Sequence, residues 1–217
     1  MKKEIEIKAK VDNIDEVLLW LSNNALFNKS IFQEDILYDF IPRSFILDKN
    51  TLKSDEFMRI RCTAQKDLLT HKIIRRDAKG NFICCDEEEA IIKKENSKKI
   101  CNLLSAFGIQ NIEEEKCQNG KNLGCFLEKN NFKELIRITK NREEYTLNEF
   151  NIAIDEVLNL GYFIEIENIQ NTVDDRQIER IRNKEIELLK NIKISSNNIV
   201  NKGYLDLIME NKNERHI

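Results

Sequence analysis

The sequence has little of the material on which many enzyme sites depend. Its 217 residues include two histidines, one proline and six glycines. Two histidines leave almost nothing from which to build a histidine-based triad or a zinc site. No GxxxxGK[ST] segment is present, which excludes a P-loop nucleotide site. No apolar run reaches the length of a membrane span, and no apolar signal segment opens the chain. We therefore expect a cytoplasmic protein without a membrane partner.

Net charge is also small, since 35 basic and 38 acidic residues give −3. Such a balance produces no overall field for nucleic acid, and we expect no nucleic-acid partner. The six cysteines have neither CxxC spacing nor a zinc signature, which favours reduced thiols in the cytoplasm. Charged residues nevertheless make up 34% of the chain, above the usual quarter. With so small a net charge, these residues can act only through their local arrangement.

Alternation with a period of two predicts β-strands, and apolar residues at helical spacing predict helices. Strands are predicted at residues 2–10, 30–40, 57–63, 68–75, 82–93, 135–145, 150–157 and 161–168. Helices are predicted after Asn13, around residues 100–107, over residues 178–192 and from near Tyr204. The polar stretch 111–131 is predicted to be a hairpin or a long insertion. No linker divides the chain, so we predict a single domain over residues 1–217.

Several strands are apolar on one side and charged on the other, with the charges segregated by sign. The charged faces carry Glu4, Glu6 and Lys8; Arg59 and Arg61; Thr70 and Lys72; Glu87 and Glu89; Lys140 and Arg142; Glu165 and Glu167. A half-solvated sheet explains any single strand. The whole set, together with amphipathic helices that need an apolar surface, favours charged faces turned inward. We predict an α+β fold, a closed antiparallel eight-stranded β-barrel with helices packed outside.

Charges on the inside of a barrel must be balanced by opposite charges. Clustered Lys and Arg side chains repel one another, and so do clustered Glu side chains. A triphosphate with Mg²⁺ or Mn²⁺ relieves both, because Arg and Lys bind phosphate oxygens and carboxylates bind hard divalent ions. The charge pattern therefore predicts a site for a triphosphate and a metal ion.

The order of these motifs resembles the CYTH superfamily, the triphosphate tunnel metalloenzymes. The resemblance rests on the ExExK strand at residues 4–8, the segments at Gln33–Asp35 and Tyr38–Asp39, Arg59-x-Arg61, Thr70-x-Lys72, the paired Glu87 and Glu89, Lys140-x-Arg142 with Tyr145, and DEVLNLGYFIEIE at residues 155–167. LGYFIEIE and the terminal GYLDL, residues 203–207, are similar to the class IV adenylate cyclase branch. Cys84 and Cys85 stand where the family often has an arginine.

The resemblance implies roles for these residues. The implied metal ligands are Glu4, Glu6, Asp155, Glu165 and Glu167. The implied triphosphate ligands are Lys8, Arg59, Arg61, Lys72, Lys140 and Arg142, of which the first four are also the expected catalytic residues. Glu87, Glu89 and Asp39 are further candidates.

Three functions remain open at this point. The first is an adenylate cyclase that converts ATP to cyclic AMP and pyrophosphate. The second is a triphosphatase acting on inorganic, thiamine or nucleoside triphosphate, and the third is a triphosphate binder without turnover. A homodimer is also left open.

Overall fold

The computed structural model describes residues 2–44, 46–48, 51–52, 56–78, 80 and 82–214. Over these residues the chain forms ten strands: β1 (Lys2–Lys10), β2 (Leu26–Phe40), β3 (Ile46–Asp48), β4 (Thr51–Leu52), β5 (Glu56–Cys62), β6 (Asp67–Arg76), β7 (Phe82–Ile91), β8 (Phe132–Leu147), β9 (Phe150–Val157) and β10 (Gly161–Gln170). The α-helices over the same residues are α1 (Ile14–Asn24), α2 (Ser97–Ser105), α3 (Gly120–Lys129), α4 (Asp175–Asn191) and α5 (Tyr204–Glu214). None of the helices described is both long and apolar enough to span a membrane.

Eight of the described strands form one antiparallel sheet. Its hydrogen-bonded order is β1-β10-β9-β8-β2-β5-β6-β7, and the order closes into a ring. The predicted eight-stranded antiparallel sheet accompanied by helices is thus confirmed. The short strands β3 and β4 pair separately with each other.

By their mutual contacts, the residues fall into two compact units, each with its own apolar core. The first unit comprises Met1–Phe32, Ile74–Asp86 and Thr139–Ile208, and the second comprises Gln33–Ile73, Glu87–Ile138 and Met209–Ile217. In the first unit, apolar residues of β1, β9 and β10 pack with α1 and α4, among them Ile7, Ile152, Ile166, Leu21 and Leu189. In the second, residues of β2, β5 and β6 pack with α2 and α3, among them Tyr38, Ile60, Leu69, Leu104 and Leu127.

The ends of the outer helices follow from short polar side chains. The Asn13 side chain accepts a hydrogen bond from the Glu16 backbone N–H and begins α1. Asp174 and Gln177 form a reciprocal capping box at the start of α4. These caps satisfy backbone donors that the first helical turn cannot satisfy by itself.

Of the two alternatives predicted for residues 111–131, the hairpin is wrong, and the long insertion stays a prediction. This stretch contains a 3-10 turn, Glu114–Cys117, followed by α3. Its glycines allow close packing, since a Cβ on Gly124 would lie 2.6 Å from the hydroxyl oxygen of Tyr38. They resemble turn residues in the sequence but serve here as small residues on a packed helix.

Candidate functional site

Three carboxylates of the first unit meet on β1 and β10. The antiparallel register of these strands places Glu6 directly opposite Glu167. Glu4 joins them, and the carboxylate oxygens of Glu4, Glu6 and Glu167 lie within 4.8 Å of one another. Like charges directly opposite each other destabilise a sheet. This carboxylate cluster, defined by these three residues, therefore carries a cost in folding that a cation or a proton would reduce.

The acid–base state of the carboxylate cluster reflects that crowding. Burial, a hydrogen bond with Glu4 and repulsion from Glu4 and Glu6 raise the pKa of Glu167 to about 9. A divalent cation relieves the same repulsion. Carboxylate oxygens are hard ligands of the kind that Mg²⁺ and Mn²⁺ prefer. The donor set of the carboxylate cluster thus fits a divalent metal ion of this class.

The other two predicted metal ligands, Glu165 and Asp155, lie among cations. The register of β1 and β10 places Lys8 opposite Glu165, with 3.1 Å between Nζ and Oε1. Arg142 also pairs with Glu165. Burial opposes ionisation of Glu165, but the attraction of Lys8 and Arg142 outweighs it and holds the pKa of this carboxyl well below its ordinary value.

Asp155, which is fully buried, forms the centre of a group of cations. Lys140 Nζ donates to its Oδ2 at 2.7 Å, and Arg142 Nε donates to its Oδ1 at 2.6 Å. Burial opposes ionisation of Asp155, yet the two cations keep its pKa below the ordinary value. We define Lys8, Lys140, Arg142, Asp155 and Glu165 as the first cation cluster.

Tyr204, at the start of α5, completes the first cation cluster. Its hydroxyl donates to Asp155 Oδ2 at 2.8 Å. Lys8 Nζ lies 4.1 Å from the centre of its ring, and Lys140 Nζ lies 5.1 Å from it. Sequence reasoning did not select this tyrosine as a site residue. The tyrosine belongs to the GYLDL segment that resembles the family. Nothing in that segment indicates that the ring contacts Lys8.

The second unit holds another group of cations on β5 and β6. Asp35 stands opposite Arg61 in the register of β2 and β5. Arg61 donates two hydrogen bonds to the Asp35 carboxylate, of 2.7 Å from Nε and 2.9 Å from Nη2. Arg59 lies 3.7 Å from the same carboxylate and 3.6 Å from Glu89. Sequence reasoning named both arginines but did not assign Asp35 a role.

The remaining predicted residues of the second unit lie beside these arginines or on β2. Lys72 Nζ lies 3.4 Å from Glu87 Oε2, and Thr70 Oγ1 donates to Glu89 at 2.9 Å. Asp39 accepts a hydrogen bond from the Ser44 hydroxyl at 2.8 Å. We define Arg59, Arg61, Lys72, Glu87 and Glu89 as the second cation cluster.

Both cation clusters are suited to anion binding. Their Lys and Arg side chains are partly or fully buried and held in position by carboxylates. Guanidinium groups bind phosphate oxygens in pairs, and ammonium groups add point charges. The chemistry of the side chains therefore points to a phosphate-rich ligand accompanied by a divalent ion.

Solved structures share this fold. A protein from Pyrococcus horikoshii OT3 superposes with a TM-score of 0.72 at 24% identity, covering 96% of this chain and 99% of that one. A protein from Hippeastrum superposes with a TM-score of 0.55 at 19% identity, covering 94% of this chain and 91% of that one. The latter is described as a putative adenylyl cyclase with a dominant triphosphatase activity.

The sequence defines the family. The CYTH domain model matches residues 2–204, and the chain belongs to the CYTH domain family. A relative from Methanocaldococcus jannaschii, named a putative adenylate cyclase, is 29% identical over 205 residues, which are 94% of this chain and 97% of the relative. The resemblance inferred from the motifs is thereby confirmed at the level of the family.

Proposed function

We propose that the protein is a metal-dependent adenylate cyclase that converts ATP to cyclic AMP and pyrophosphate. The observation that supports a metal and a triphosphate is the carboxylate cluster on the same two strands as Lys8 and Glu165. The choice of a cyclase is supported by similarity to the relative named as such.

The carboxylates and the cations have separate proposed roles. Glu4, Glu6 and Glu167 hold Mg²⁺ or Mn²⁺, which when bound neutralises charge on phosphate oxygens. Lys8, Lys140 and Arg142 are the phosphate ligands of the first unit, and Arg59, Arg61 and Lys72 are those of the second. Asp155 and Glu165 position cations, and a role for them as metal ligands requires that they release these partners.

The cations promote the reaction by stabilising charge that develops as a phosphoanhydride bond breaks. In a cyclase the 3′-oxygen of the ribose attacks the α-phosphorus, and pyrophosphate leaves. This outcome requires the ribose and α-phosphorus to be aligned for in-line attack, so substrate position decides the product.

A triphosphatase is the second candidate. It uses the same cations and metal, but water attacks the terminal phosphorus instead. The Hippeastrum protein, which shares the fold, is described as having a dominant triphosphatase activity. This description supports the second candidate. A triphosphate binder without turnover is the third, and it predicts ligand binding with no product in any metal.

The test is to incubate the purified protein with ATP and Mg²⁺ or Mn²⁺ and to separate the products by chromatography. We expect cyclic AMP with equimolar pyrophosphate. ADP and phosphate, or turnover of tripolyphosphate or thiamine triphosphate alone, would move the assignment to a triphosphatase. Binding without any product would leave only the third candidate.

Arg59→Ala provides the matching variant. Because Arg59 is proposed to bind phosphate, we expect turnover to fall by about a hundredfold or more while the fold persists. The control is Arg137→Ala, which removes a half-exposed arginine paired with Glu134 and Glu34 and should leave turnover nearly unchanged. Normal turnover in Arg59→Ala would contradict the proposed role of the second cation cluster.

A further inference from the structure

A thiol lies against the carboxylate cluster. Cys85 is on β7, and only 1% of its surface is exposed. Its Sγ donates a hydrogen bond to Glu4 Oε2 at 3.0 Å. Cys84, its neighbour, is equally buried but packs with Ile5 and Ile178 in an apolar cluster. The two adjacent cysteines thus have different surroundings, and only Cys85 is shown in contact with a carboxylate of the cluster.

We propose that Cys85 is a sulfur ligand to the metal ion held by the carboxylate cluster. As a consequence, the site favours borderline-soft divalent ions such as Co²⁺ and Zn²⁺ more than a site made of carboxylates alone. This inference rests on the proposed function, because it takes Glu4, Glu6 and Glu167 as ligands of the same ion.

The contact between Cys85 and Glu4 is close to the spacing of two ligands on one ion. With a Zn–S bond of about 2.3 Å and a Zn–O bond of about 2.0 Å, two tetrahedral ligands lie about 3.5 Å apart. The present distance of 3.0 Å between Sγ and Oε2 is that of a hydrogen bond donated by the thiol. When an ion replaces the thiol proton, the S–H bond breaks, a metal–sulfur bond forms and the proton leaves to solvent. The two side chains then separate by about half an ångström.

The donor set decides the preference among ions. Carboxylates alone suit Mg²⁺ and Mn²⁺, whereas a thiolate is a soft ligand that adds affinity for Zn²⁺ and Co²⁺. Mg²⁺ gains least, because it is small and prefers oxygen in an octahedral shell. Replacement of the sulfur should therefore weaken the binding of different ions unequally, which a purely structural role of Cys85 would not do.

The first experiment is a titration of the metal-free protein with Co²⁺, followed by absorbance. A thiolate bound to Co²⁺ gives a sulfur-to-metal charge-transfer band in the near ultraviolet. We expect this band in the natural protein and in Cys84→Ser, the matched control, and its loss in Cys85→Ser. By calorimetry, Cys85→Ser should weaken Co²⁺ and Zn²⁺ binding at least about tenfold and Mn²⁺ binding much less.

The outcomes separate this inference from the proposed function. Mn²⁺ binding without a charge-transfer band in the natural protein, or a band unaffected by Cys85→Ser, would overturn the role of Cys85 alone. If neither Mn²⁺ nor Co²⁺ binds, both the metal role in the proposed function and this inference fail. The inference stands if the band depends on Cys85 and Mn²⁺ still binds to Cys85→Ser.

A second measurement needs no variant. X-ray absorption at the zinc edge of the natural protein loaded with one equivalent of Zn²⁺ should show one sulfur neighbour at about 2.3 Å. A first shell of oxygen neighbours alone would overturn the proposal, even if Cys85→Ser failed to fold.

Discussion

At the scale of single residues, Asp155 shows how a buried charge is made tolerable. Its side chain is fully buried, and it accepts hydrogen bonds from Lys140, Arg142 and Tyr204. Moving a carboxylate out of water costs several kcal/mol unless cations and donors replace the solvent. Asp155 has such partners, and its charge in turn helps to neutralise Lys140 and Arg142.

The first residue-scale prediction is therefore that Asp155→Asn is strongly destabilising. It removes the charge of the carboxylate that Lys140 and Arg142 share, and removal of one partner from a buried pair costs about 3–5 kcal/mol. Unfolding in urea measures the loss. The control is Glu134→Gln, which disturbs the more exposed pair with Arg137 and should cost no more than about 1 kcal/mol. Equal effects of the two changes would contradict this account.

At the scale of elements, α4 presents one polar residue within its apolar stripe. Glu185 shares the buried face of α4 with Ile178, Leu188 and Leu189. Within the part of the chain that the structure describes, neither of its carboxylate oxygens has a hydrogen-bond partner. Burial raises its pKa to about 9; the nearby charge of Glu6 adds to this effect and Arg182 opposes it. Glu185 is therefore neutral at pH 7 in the folded protein.

This raised pKa makes the stability of α4 on the sheet depend on pH. Unfolded, Glu185 releases its proton near the ordinary value of 4.5, whereas folded it keeps the proton until about 9. The folded state thus binds more protons between these values, and its stability falls as pH rises through that window, by at most about 1.4 kcal/mol per pH unit.

Glu185→Gln tests this sign. The amide has nearly the shape of the protonated carboxyl and does not titrate, so the variant should gain stability relative to the natural protein as pH rises from about 5 to 8. Urea unfolding at both pH values measures the difference. A matched control is Glu187→Gln, which makes the same chemical change at an exposed position of the same helix. A constant difference across this range would refute the raised pKa.

At the scale of the whole molecule, two cation clusters and one carboxylate cluster concentrate charge in a chain whose net charge is only −3. A ligand that binds only the folded state adds RT ln(1 + [L]/Kd) to the free energy of unfolding. A polyanion bound together with a divalent ion should therefore raise the free energy of unfolding.

The corresponding prediction concerns thermal unfolding. Tripolyphosphate with Mn²⁺ at a hundred times its dissociation constant should add about 2.7 kcal/mol, and each kcal/mol raises the Tm of a chain of this size by about 2–4 °C. Arg59→Ala should show a smaller increase at the same concentrations. Sulfate at equal ionic strength controls for general salt effects, and an equal increase with sulfate would argue against a triphosphate site.

Much of the local structure could be predicted, because alternation is a property of neighbouring residues. The bounds of β9 agree with the prediction, and those of β5, β6 and β10 differ by one or two residues. β2 begins at Leu26 rather than near residue 30, and its first five residues are exposed, so no buried face marks this part of the strand. The helix α3 was missed because its glycines were interpreted as turn residues. That the chain forms a single domain stays a prediction.

The sequence by itself determined which faces of the strands are charged, the family and the residue types available for phosphate and metal. Only the tertiary structure decided which charges meet. Glu6 faces Glu167 and Lys8 faces Glu165 because of the register between β1 and β10, strands that lie more than 150 positions apart in the sequence. The contacts of Asp155 with Tyr204 and of Cys85 with Glu4 also join residues that are distant in sequence, 49 and 81 positions apart. Alternation is local, whereas register and packing depend on the whole chain, and these non-local contacts separate possible metal ligands from the carboxylates that hold cations.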